Sequence, residues 1–368
     1  MKTKAALVYE YRKPLTMDEL TLAPPQDREV LIQYRAAGLC HSDVSVRDGV
    51  FRMPPLPCVP GHEGAGVVLE VGPGVTRVKP GDHVLLMWVP VCGQCYYCLR
   101  GQYHLCADRD KTRLGRMLDG TARLTKGRQE VQIMLGVGSF SQYNVVSEQS
   151  VLPMDRDIPF EVAAIFGCAV ITGIGAVLNR AKLPPGSHVT IMGLGGVGLN
   201  VVQGAFLANA TQIIAIDRFP QKLALAKQLG ATHLIDVTKE DPVKQVKELT
   251  NGMGADFAFE AIGNVETIAM SYQFLRRGGT AVLVGIPDGE ARFPLPLQEM
   301  IQFEKTVLGC YYGSGDMRLG LKTILDLYKE GRLKTDLMIS HRYPLEEINA
   351  GLADMESGRN ARGVIVYG

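Results

Sequence analysis

The sequence predicts a two-domain protein of the α/β class, in which an irregular, largely antiparallel β domain is interrupted by a doubly wound parallel sheet. The chain has 368 residues, against roughly 150 for an average domain. Short β runs punctuated by Gly and Pro fill its first part, and compact apolar runs alternating with helical stretches follow Pro184-Pro185-Gly186. Hydrophobic residues make up 46% and charged residues 21%, which excludes a disordered chain.

The β runs of the first part include KAALVYE, REVLIQYRA, GAGVVLEVG and DHVLLMWV, with turn signals such as GPGV and KPGD between them. Such runs predict short strands of an irregular, mainly antiparallel domain. The C-terminal part returns to mixed helix and strand and ends in GVIVYG. We therefore predict that this domain is discontinuous and comprises residues 1–169 and 312–368.

The second domain, predicted for residues 170–311, contains six compact apolar runs: HVTIM, QIIAI, THLID, FAFEA, TAVLVG and TVLGC. Stretches of helical character separate most of them, for instance Pro220 to Leu229 and Asn264 to Leu275. Strands that alternate with helices form parallel βαβ units. Six such strands predict a doubly wound Rossmann sheet, which binds nucleotides beyond the carboxyl ends of its strands.

Charge and cysteine content narrow the class of protein. The chain has 39 basic and 38 acidic residues, so its net charge of +1 excludes a general attraction to nucleic acid or to an anionic membrane. The N-terminal stretch lacks the apolar core of a signal peptide and no apolar run of membrane-spanning length occurs, so we expect a cytoplasmic protein. Eight cysteines are too sparse for a disulfide scaffold, and in a reducing compartment clustered cysteines more often indicate metal.

A glycine-rich turn follows the run HVTIM, with the spacing G-x-G-x-x-G of a dinucleotide-binding turn. In that spacing the first glycine makes the turn, the second admits the pyrophosphate, and the third lets helix and strand pack closely. By itself the pattern also fits a plain turn. The turn consists of Gly193, Leu194, Gly195, Gly196, Val197 and Gly198.

The end of the next run supports the nucleotide interpretation. Asp217 closes QIIAI, where an acid binds the adenosine ribose hydroxyls and repels a 2′-phosphate, so NAD is favoured over NADP. Arg218 follows directly and would soften that preference. Lys222 is either a ribose contact or a solvated helix lysine.

Four cysteines form the pattern C-x₂-C-x₂-C-x₇-C: Cys92, Cys95, Cys98 and Cys106. Four thiolates on a short loop close a tetrahedral shell around Zn²⁺ and leave no open position, which is typical of a structural site. A redox cluster is the alternative. The usual spacings of iron–sulfur ferredoxins differ from this one.

A second, scattered set comprises Cys40 in GLCHSD, His62 in PGHEGAG and Cys168 in FGCAVITG. Two thiolates and one imidazole leave a fourth position on zinc for water or substrate, as in a catalytic site. Each residue alone is more often structural, and spacing does not show that they converge. Asp43 and Glu63 flank the set, either as carboxylates that orient the ligands or as surface charge.

Taken in order, these motifs resemble the zinc-dependent medium-chain alcohol dehydrogenase family. The matches span nearly the whole chain: GLCHSD, PGHEGAGVV, GDHV, the four-cysteine lobe, GSFSQY, GCAVITG, GLGGVG with Asp217, and Arg362. The segment from Lys111 to Gln132 resembles the longer form of the branch that contains liver-type and glutathione-dependent formaldehyde dehydrogenases. The resemblance implies a GroES-like catalytic domain with an inserted Rossmann domain, two zinc ions per subunit, NAD, and a homodimer or tetramer.

The resemblance also implies roles for single residues. Cys40, His62 and Cys168 bind catalytic zinc, with Glu63 as a possible alternate ligand, and Ser42 takes the substrate's proton. The coenzyme contacts beyond the glycine turn and Asp217 are His41, Thr172, Val284 and Arg362. The residues that line the substrate pocket are Trp88, Phe51, Met134 and Leu135, although core packing explains any one of them equally well.

Two positions depart from the family pattern. Ser45 stands where many liver-type members have the histidine that ends the proton relay, and a hydroxyl passes a proton but holds no charge near neutral pH. His41 stands where other members often have arginine, so its charge depends on pH.

The sequence therefore predicts a reversible alcohol dehydrogenase that transfers hydride between a primary or aromatic alcohol and NAD. One alternative is oxidation of S-(hydroxymethyl)glutathione, because the stretch from Arg109 to Arg128 is rich in basic residues that would receive an anionic adduct. Another is a catalytically silent, NADH-binding scaffold, which the complete ligand set and Ser42 disfavour. The run from Thr306 to Tyr312 is a candidate edge strand for a dimer contact, or is shielded by loops of its own chain.

Overall fold

The structure is a computed structural model that describes all 368 residues, Met1 to Gly368. The strands in chain order are β1 (Lys2–Leu7), β2 (Thr16–Leu22), β3 (Glu29–Gly38), β4 (Cys58–Val59), β5 (Gly64–Val71), β6 (His83–Leu86), β7 (Leu124–Lys126), β8 (Gln129–Ile133), β9 (Tyr143–Ser147), β10 (Val151–Pro153), β11 (His188–Met192), β12 (Gln212–Asp217), β13 (His233–Asp236), β14 (Ala255–Glu260), β15 (Leu275–Leu283), β16 (Thr306–Gly309), β17 (Ile339–Tyr343) and β18 (Arg362–Val366).

The α-helices in chain order are α1 (His41–Arg47), α2 (Arg109–Arg113), α3 (Phe160–Ile165), α4 (Ile171–Gly175), α5 (Gly196–Leu207), α6 (Pro220–Gln228), α7 (Pro242–Leu249), α8 (Val265–Gln273), α9 (Leu297–Gln302), α10 (Met317–Lys329) and α11 (Ile348–Glu356). Short 3₁₀ turns join many of these elements.

The chain divides into two compact units. The first comprises Met1–Cys168, Asp316–Lys329 and Met338–Gly368, and the second comprises Ala169–Gly315 and Glu330–Leu337. The first unit is thus discontinuous. The residues 312–368 predicted for the first domain include Glu330–Leu337, which clusters with the second unit.

The first unit contains two sheets. One has the strand order β1-β2-β7-β8-β4, and the other has the order β10-β6-β5-β3-β18-β17, with β9 paired to β3. Most neighbouring strands are antiparallel, and β4 with β8 and β17 with β18 are the parallel pairs. The irregular, largely antiparallel β domain predicted from the short runs is confirmed.

The second unit contains one sheet of six parallel strands in the order β13-β12-β11-β14-β15-β16. Its six strands coincide with the six apolar runs of the sequence. The central strands β11 and β12 are almost wholly buried, and strands buried on both faces have little room for polar residues. The order reverses between β11 and β14, which creates a crevice at their carboxyl ends. The predicted doubly wound sheet is confirmed.

One continuous helical segment, Phe160–Ala181, contains α3 and α4 and leads the chain from the first unit into the second. It is long and apolar enough to cross a membrane, but 89% of its apolar window is buried inside the protein. Two π-helical turns, Phe166–Val170 and Ala176–Ala181, interrupt its α-helical geometry. Such turns are frequent at functional sites, and the first of them contains Cys168.

Candidate functional site

The scattered ligand set converges in the first unit. The ligand atoms of Cys40, His62, Glu63 and Cys168 all lie within 4.8 Å of one another. Cys40 follows β3 as the N-cap of α1, His62 and Glu63 precede β5, and Cys168 lies in the π-helical turn. Three separate segments therefore bring together the residues that the sequence suggested only one by one.

Asp43 orients this group from the first turn of α1. Its Oδ1 lies 3.2 Å from Nδ1 of His62 and also accepts a hydrogen bond from the backbone N–H of Gly61 at 3.1 Å. Its Oδ2 accepts one from the N–H of Cys40 at 3.0 Å. Because Nδ1 of His62 faces this fully buried carboxylate, Nε2 is left for a metal ion.

Glu63 and Arg362 form a buried ion pair beside the same group. The Oε2 atom of Glu63 accepts a hydrogen bond from the guanidinium of Arg362, whereas Oε1 is buried without a hydrogen-bond partner. Burial raises the pKa of Glu63 to about 8, against the opposing charge of Arg362. Gly38 makes room for the pair, since a Cβ there would overlap Glu63, Ile165 and Arg362. Gly38 is the first residue of the motif GLCHSD, but its role in packing against this pair is not visible in the sequence.

The donor set fits a zinc ion. Cys40 and Cys168 share a hydrogen bond that lowers the pKa of Cys40 and raises that of Cys168. Two sulfur donors and one imidazole nitrogen within 4.8 Å of one another are typical of a zinc site, and a carboxylate oxygen of Glu63 lies within the same distance.

The other residues expected near the metal lie in the same unit. Ser42 is half-buried and His41 is exposed in the first turn of α1. The Trp88 ring meets the His62 ring edge-on, with centroids 6.4 Å apart. Phe51 and Leu135 are half-buried, and Met134 is buried.

The four-cysteine lobe is closed. The sulfur atoms of Cys92, Cys95, Cys98 and Cys106 lie within 4.8 Å of one another. Backbone N–H groups donate to two of them, from Ala107 to Cys95 at 3.5 Å and from Cys92 to Cys106 at 3.4 Å. Burial raises the pKa of Cys95, but hydrogen bonds led by that of Ala107 outweigh it and lower the pKa to about 6. Four sulfur donors fit a zinc ion with no open position.

The glycine turn lies in the second unit, at the carboxyl end of β11. Gly193 has a φ of 91°, which favours glycine, and a Cβ on Gly198 would overlap the carbonyl of Gly193. By contrast, a Cβ on Gly195 would meet nothing within 4 Å, so open space lies above it. The three glycines thus have the separate geometries that a phosphate-binding turn requires.

Asp217 braces that turn. Its Oδ2 accepts from the N–H of Leu194 at 2.7 Å, and Oδ1 accepts from the N–H groups of Arg218 at 2.7 Å and Phe219 at 3.0 Å. The Lys222 side chain lies over the Phe219 ring at 4.8 Å, and burial lowers its pKa. Lys222 is therefore buried rather than a solvated helix lysine.

The remaining expected coenzyme residues are dispersed. Thr172 in α4 and Val284 after β15 are buried in the second unit, with the N–H of Val284 bonded to the carbonyl of Glu260 at 2.9 Å. Arg362 belongs to the first unit, where Glu63 holds its guanidinium. A contact between Arg362 and a pyrophosphate stays a prediction.

The basic stretch from Arg109 to Arg128 is mostly neutralised. Five of its seven basic side chains form ion pairs: Arg109 with Asp110, Lys111 with Asp108, Arg116 with Glu130, Arg123 with Glu29 and Asp119, and Lys126 with Asp18. Arg123 is buried, and its two bonds to Glu29 measure 2.8 and 2.6 Å. The stretch therefore presents much less positive charge than its composition suggests.

Comparison with known proteins agrees with this site. The family model "Alcohol dehydrogenase GroES-like domain" matches residues 26–156, and "Zinc-binding dehydrogenase" matches residues 196–329. An NDMA-dependent alcohol dehydrogenase of Amycolatopsis methanolica is 41% identical over 371 residues, covering 100% of this chain and 99% of the relative. An S-(hydroxymethyl)glutathione dehydrogenase of Synechocystis is 39% identical over 370 residues, covering 100% of both.

Among solved structures, benzyl alcohol dehydrogenase from Acinetobacter calcoaceticus is similar, with a TM-score of 0.94, 32% identity and 100% of both chains covered. The resemblance drawn from the ordered motifs is thereby confirmed. The chain belongs to the zinc-dependent medium-chain alcohol dehydrogenase family.

Proposed function

We propose that this zinc-dependent alcohol dehydrogenase transfers hydride reversibly between NAD and a primary or aromatic alcohol, giving an aldehyde or ketone. The observation that carries the proposal is the convergence of Cys40, His62 and Cys168, whose ligand atoms lie within 4.8 Å of one another, with Ser42 two residues from Cys40. Two features support NAD as the coenzyme: the open space above Gly195, and Asp217, which accepts a hydrogen bond from the glycine turn.

We propose that each subunit holds two zinc ions. Cys40, His62 and Cys168 would hold one that keeps an open position, and the four-cysteine lobe would hold a structural one. A zinc ion in the open site supplies Lewis acidity, which lowers the pKa of an alcohol oxygen. Bound NAD supplies the redox chemistry by accepting or donating hydride.

The chain's own side chains position the substrate and manage its proton. Asp43 fixes the orientation of the His62 ring. The buried Trp88 side chain lies beside that ring, where it would narrow the substrate site and exclude water. The hydroxyl of Ser42 accepts the proton that the alcohol loses. Ser45 stands where the family pattern has a histidine, so the Ser42 hydroxyl, as it takes the proton of the alcohol, releases its own proton towards solvent water rather than to an imidazole.

The Trp88 side chain also indicates the substrate class. An aromatic side chain against the ligand histidine favours an apolar, flat substrate over a bulky secondary alcohol. The similar structure from Acinetobacter is named benzyl alcohol dehydrogenase, which supports a primary aromatic alcohol. Higher kcat/KM for bulky secondary alcohols than for benzyl alcohol would refute this substrate class.

Oxidation of S-(hydroxymethyl)glutathione is the second candidate, because relatives of 38 to 39% identity have that name. The ion pairs within the basic stretch count against it, since they occupy the charges that an anionic adduct would need. Adding glutathione to a formaldehyde assay separates the two functions: no stimulation is expected, and strong stimulation would favour the second candidate.

The central experiment compares Cys40→Ala with Cys310→Ala, a buried thiol outside both cysteine groups. We expect Cys40→Ala to fold, to lose one zinc ion per chain by elemental analysis, and to lose turnover of benzyl alcohol measured by NADH absorbance. Cys310→Ala is expected to keep both. A wild-type protein with no turnover on any alcohol would instead favour a silent NADH-binding scaffold. Since one relative is named NDMA-dependent, the assays are run with and without NDMA.

Location and assembly complete the proposal. Free thiols in two zinc-binding groups fit a reducing compartment, which supports a cytoplasmic enzyme. A homodimer is proposed from the position of β16 at the edge of the parallel sheet.

A further inference from the structure

A chain of buried side-chain amides runs from the glycine turn to a distant segment of the second unit. The Nδ2 of Asn200 donates to the carbonyl of Gly196 at 2.8 Å, and Oδ1 of Asn200 accepts from Nε2 of Gln203 at 3.0 Å. The Oε1 of Gln203 then accepts from the backbone N–H of Lys334 at 2.8 Å. We call Asn200 and Gln203 the amide relay.

The relay is buried in the core of the unit. Asn200 is 0% exposed and Gln203 is 3% exposed, although both side chains are fully polar. Buried amides lower stability unless their hydrogen bonds are satisfied. The other buried residues of α5, between Gly198 and Ala205, are all apolar, so packing alone does not explain the two amides.

One end of the relay reaches a residue proposed to bind coenzyme. Gly196 is the first residue of α5, and its N–H group lies in the turn that would hold the pyrophosphate. Asn200 also packs against α4, where a Cβ on Gly173 would come within 2.5 Å of the Asn200 Cβ. The first turn of α5 is therefore held from inside by a side chain one turn further along.

The other end reaches the segment Glu330–Leu337, which belongs to the second unit while the chain on both sides belongs to the first. Within it Leu333 and Thr335 are buried. Lys334 gives its backbone N–H to Gln203 and its Nζ to the carbonyl of Gln228 at 3.2 Å. Lys334 thus joins α5, which follows the phosphate turn, to α6, which follows Asp217.

We propose that Asn200 and Gln203 are positioning residues for the coenzyme, and that they couple the phosphate turn to the segment Glu330–Leu337. Without the relay, the first turn of α5 and this segment would become ordered only when the coenzyme binds. Because that ordering consumes part of the binding free energy, the affinity for the coenzyme would fall. The inference rests on the proposed NAD site and adds to it residues that do not touch the coenzyme.

The test measures NADH affinity by fluorescence titration of the full-length, zinc-loaded protein and of Asn200→Ala, Gln203→Met and the double variant. We expect each single change to weaken binding about fivefold, the net effect of one buried hydrogen bond. The double variant should bind about as weakly as either single one, because both changes break the same relay. Multiplied losses in the double variant would overturn the coupling.

Thr190→Val is the matched control. Thr190 is buried in β11 next to the glycine turn, and its hydroxyl has no hydrogen-bond partner. This variant is expected to bind NADH like wild type. Wild-type affinity in Gln203→Met would overturn the inference, whereas a wild-type protein that does not bind NADH would overturn the proposed coenzyme itself.

Amide hydrogen exchange provides a readout that general destabilisation would not reproduce. In coenzyme-free Gln203→Met, the glycine turn and residues 330–337 are expected to exchange faster together, while β12 and β14 keep their protection. NADH should protect residues 330–337 in wild type and protect them less in the variant. Uniformly faster exchange across the second unit would assign the relay a structural role only.

Discussion

Glu260 ends β14 as a fully buried carboxylate. Its Oε1 accepts hydrogen bonds from the N–H of Ile262 at 3.0 Å, the N–H of Gly263 at 2.8 Å and the hydroxyl of Thr267 at 2.7 Å. Its Oε2 is buried without a partner. Glu260 therefore holds the turn after β14, and burial raises the pKa of its carboxyl above the ordinary value of 4.5.

We expect Glu260→Gln to remove a pH dependence of stability. The pKa of Glu260 is higher in the folded protein than in the unfolded chain. Between those two pKa values the folded protein binds more protons, so the free energy of unfolding falls as pH rises through that range. Glutamine keeps an oxygen acceptor and has no proton to lose. Urea unfolding across this pH range should show a shallower fall for the variant.

The control is Glu266→Gln, which changes an exposed carboxylate in the first turn of α8. It is expected to keep the wild-type slope. Parallel stability curves for wild type and Glu260→Gln would show that burial does not disfavour the ionised form of Glu260.

Residue identities were predictable from sequence where a motif is local. The four cysteines follow from their spacing within one short segment, and the glycine turn follows from its spacing together with Asp217 at the end of the next run. The pairing of Glu63 with Arg362 spans 299 residues, and no local pattern marks it. Gly38 belongs to the motif GLCHSD, but the motif does not show that this glycine makes room for the pair. Arg123 was read as part of a basic surface stretch, yet its partner Glu29 lies 94 residues away and buries it.

At the scale of elements, helix α10 supports the four-cysteine lobe. Nη2 of Arg318 donates to the carbonyl of Val91 at 2.6 Å, directly before Cys92. Burial and the charge of Arg77 lower the pKa of Arg318. The helix α10 thus holds the start of the four-cysteine lobe. Both belong to the first unit, although α10 follows the second unit in the chain.

Arg318→Ala should loosen the lobe. Loss of the bond to Val91 is expected to let a chelator remove the proposed structural zinc faster, and a dye that reports free zinc measures the rate of release. The melting temperature is expected to fall by a few degrees. Lys322→Ala, an exposed change on the same helix, should do neither. Cys95→Ala sets the upper limit, because it removes a proposed ligand outright; equal zinc release from Arg318→Ala and wild type would argue against a supporting role for α10.

Periodicity predicted the strands of the parallel sheet but not two features of the elements around them. The π-helical turn Phe166–Val170 has no pattern of its own, since it forms where the chain must present Cys168 to Cys40 and His62. The segment Glu330–Leu337 was assigned to the first domain because its neighbours in sequence belong there. Its membership of the second unit depends on Lys334, whose partners Gln203 and Gln228 lie far away in the chain.

At the scale of the whole molecule, the parallel sheet has one edge that its own chain covers sparsely. Strand β16 is the last in the order, and its four residues are exposed or half-buried. Helix α9, which precedes it, exposes Leu297 at 66% and Ile301 at 76%, four residues apart and so on one helix face. An open strand edge beside an apolar helix face favours pairing with a second copy.

A homodimer across this edge predicts a sedimentation mass about twice the 40.1 kDa of one chain. The net charge of +1 leaves little repulsion between copies, so the buried apolar area decides the association. Ile301→Glu places a charge in that contact and should shift the protein towards monomer at the same concentration. Met253→Glu, at a position 60% exposed in the same unit but outside α9 and β16, should leave the mass unchanged. A wild-type mass near that of one chain would refute the dimer, and four chains whose assembly survives Ile301→Glu would place the contact on another surface.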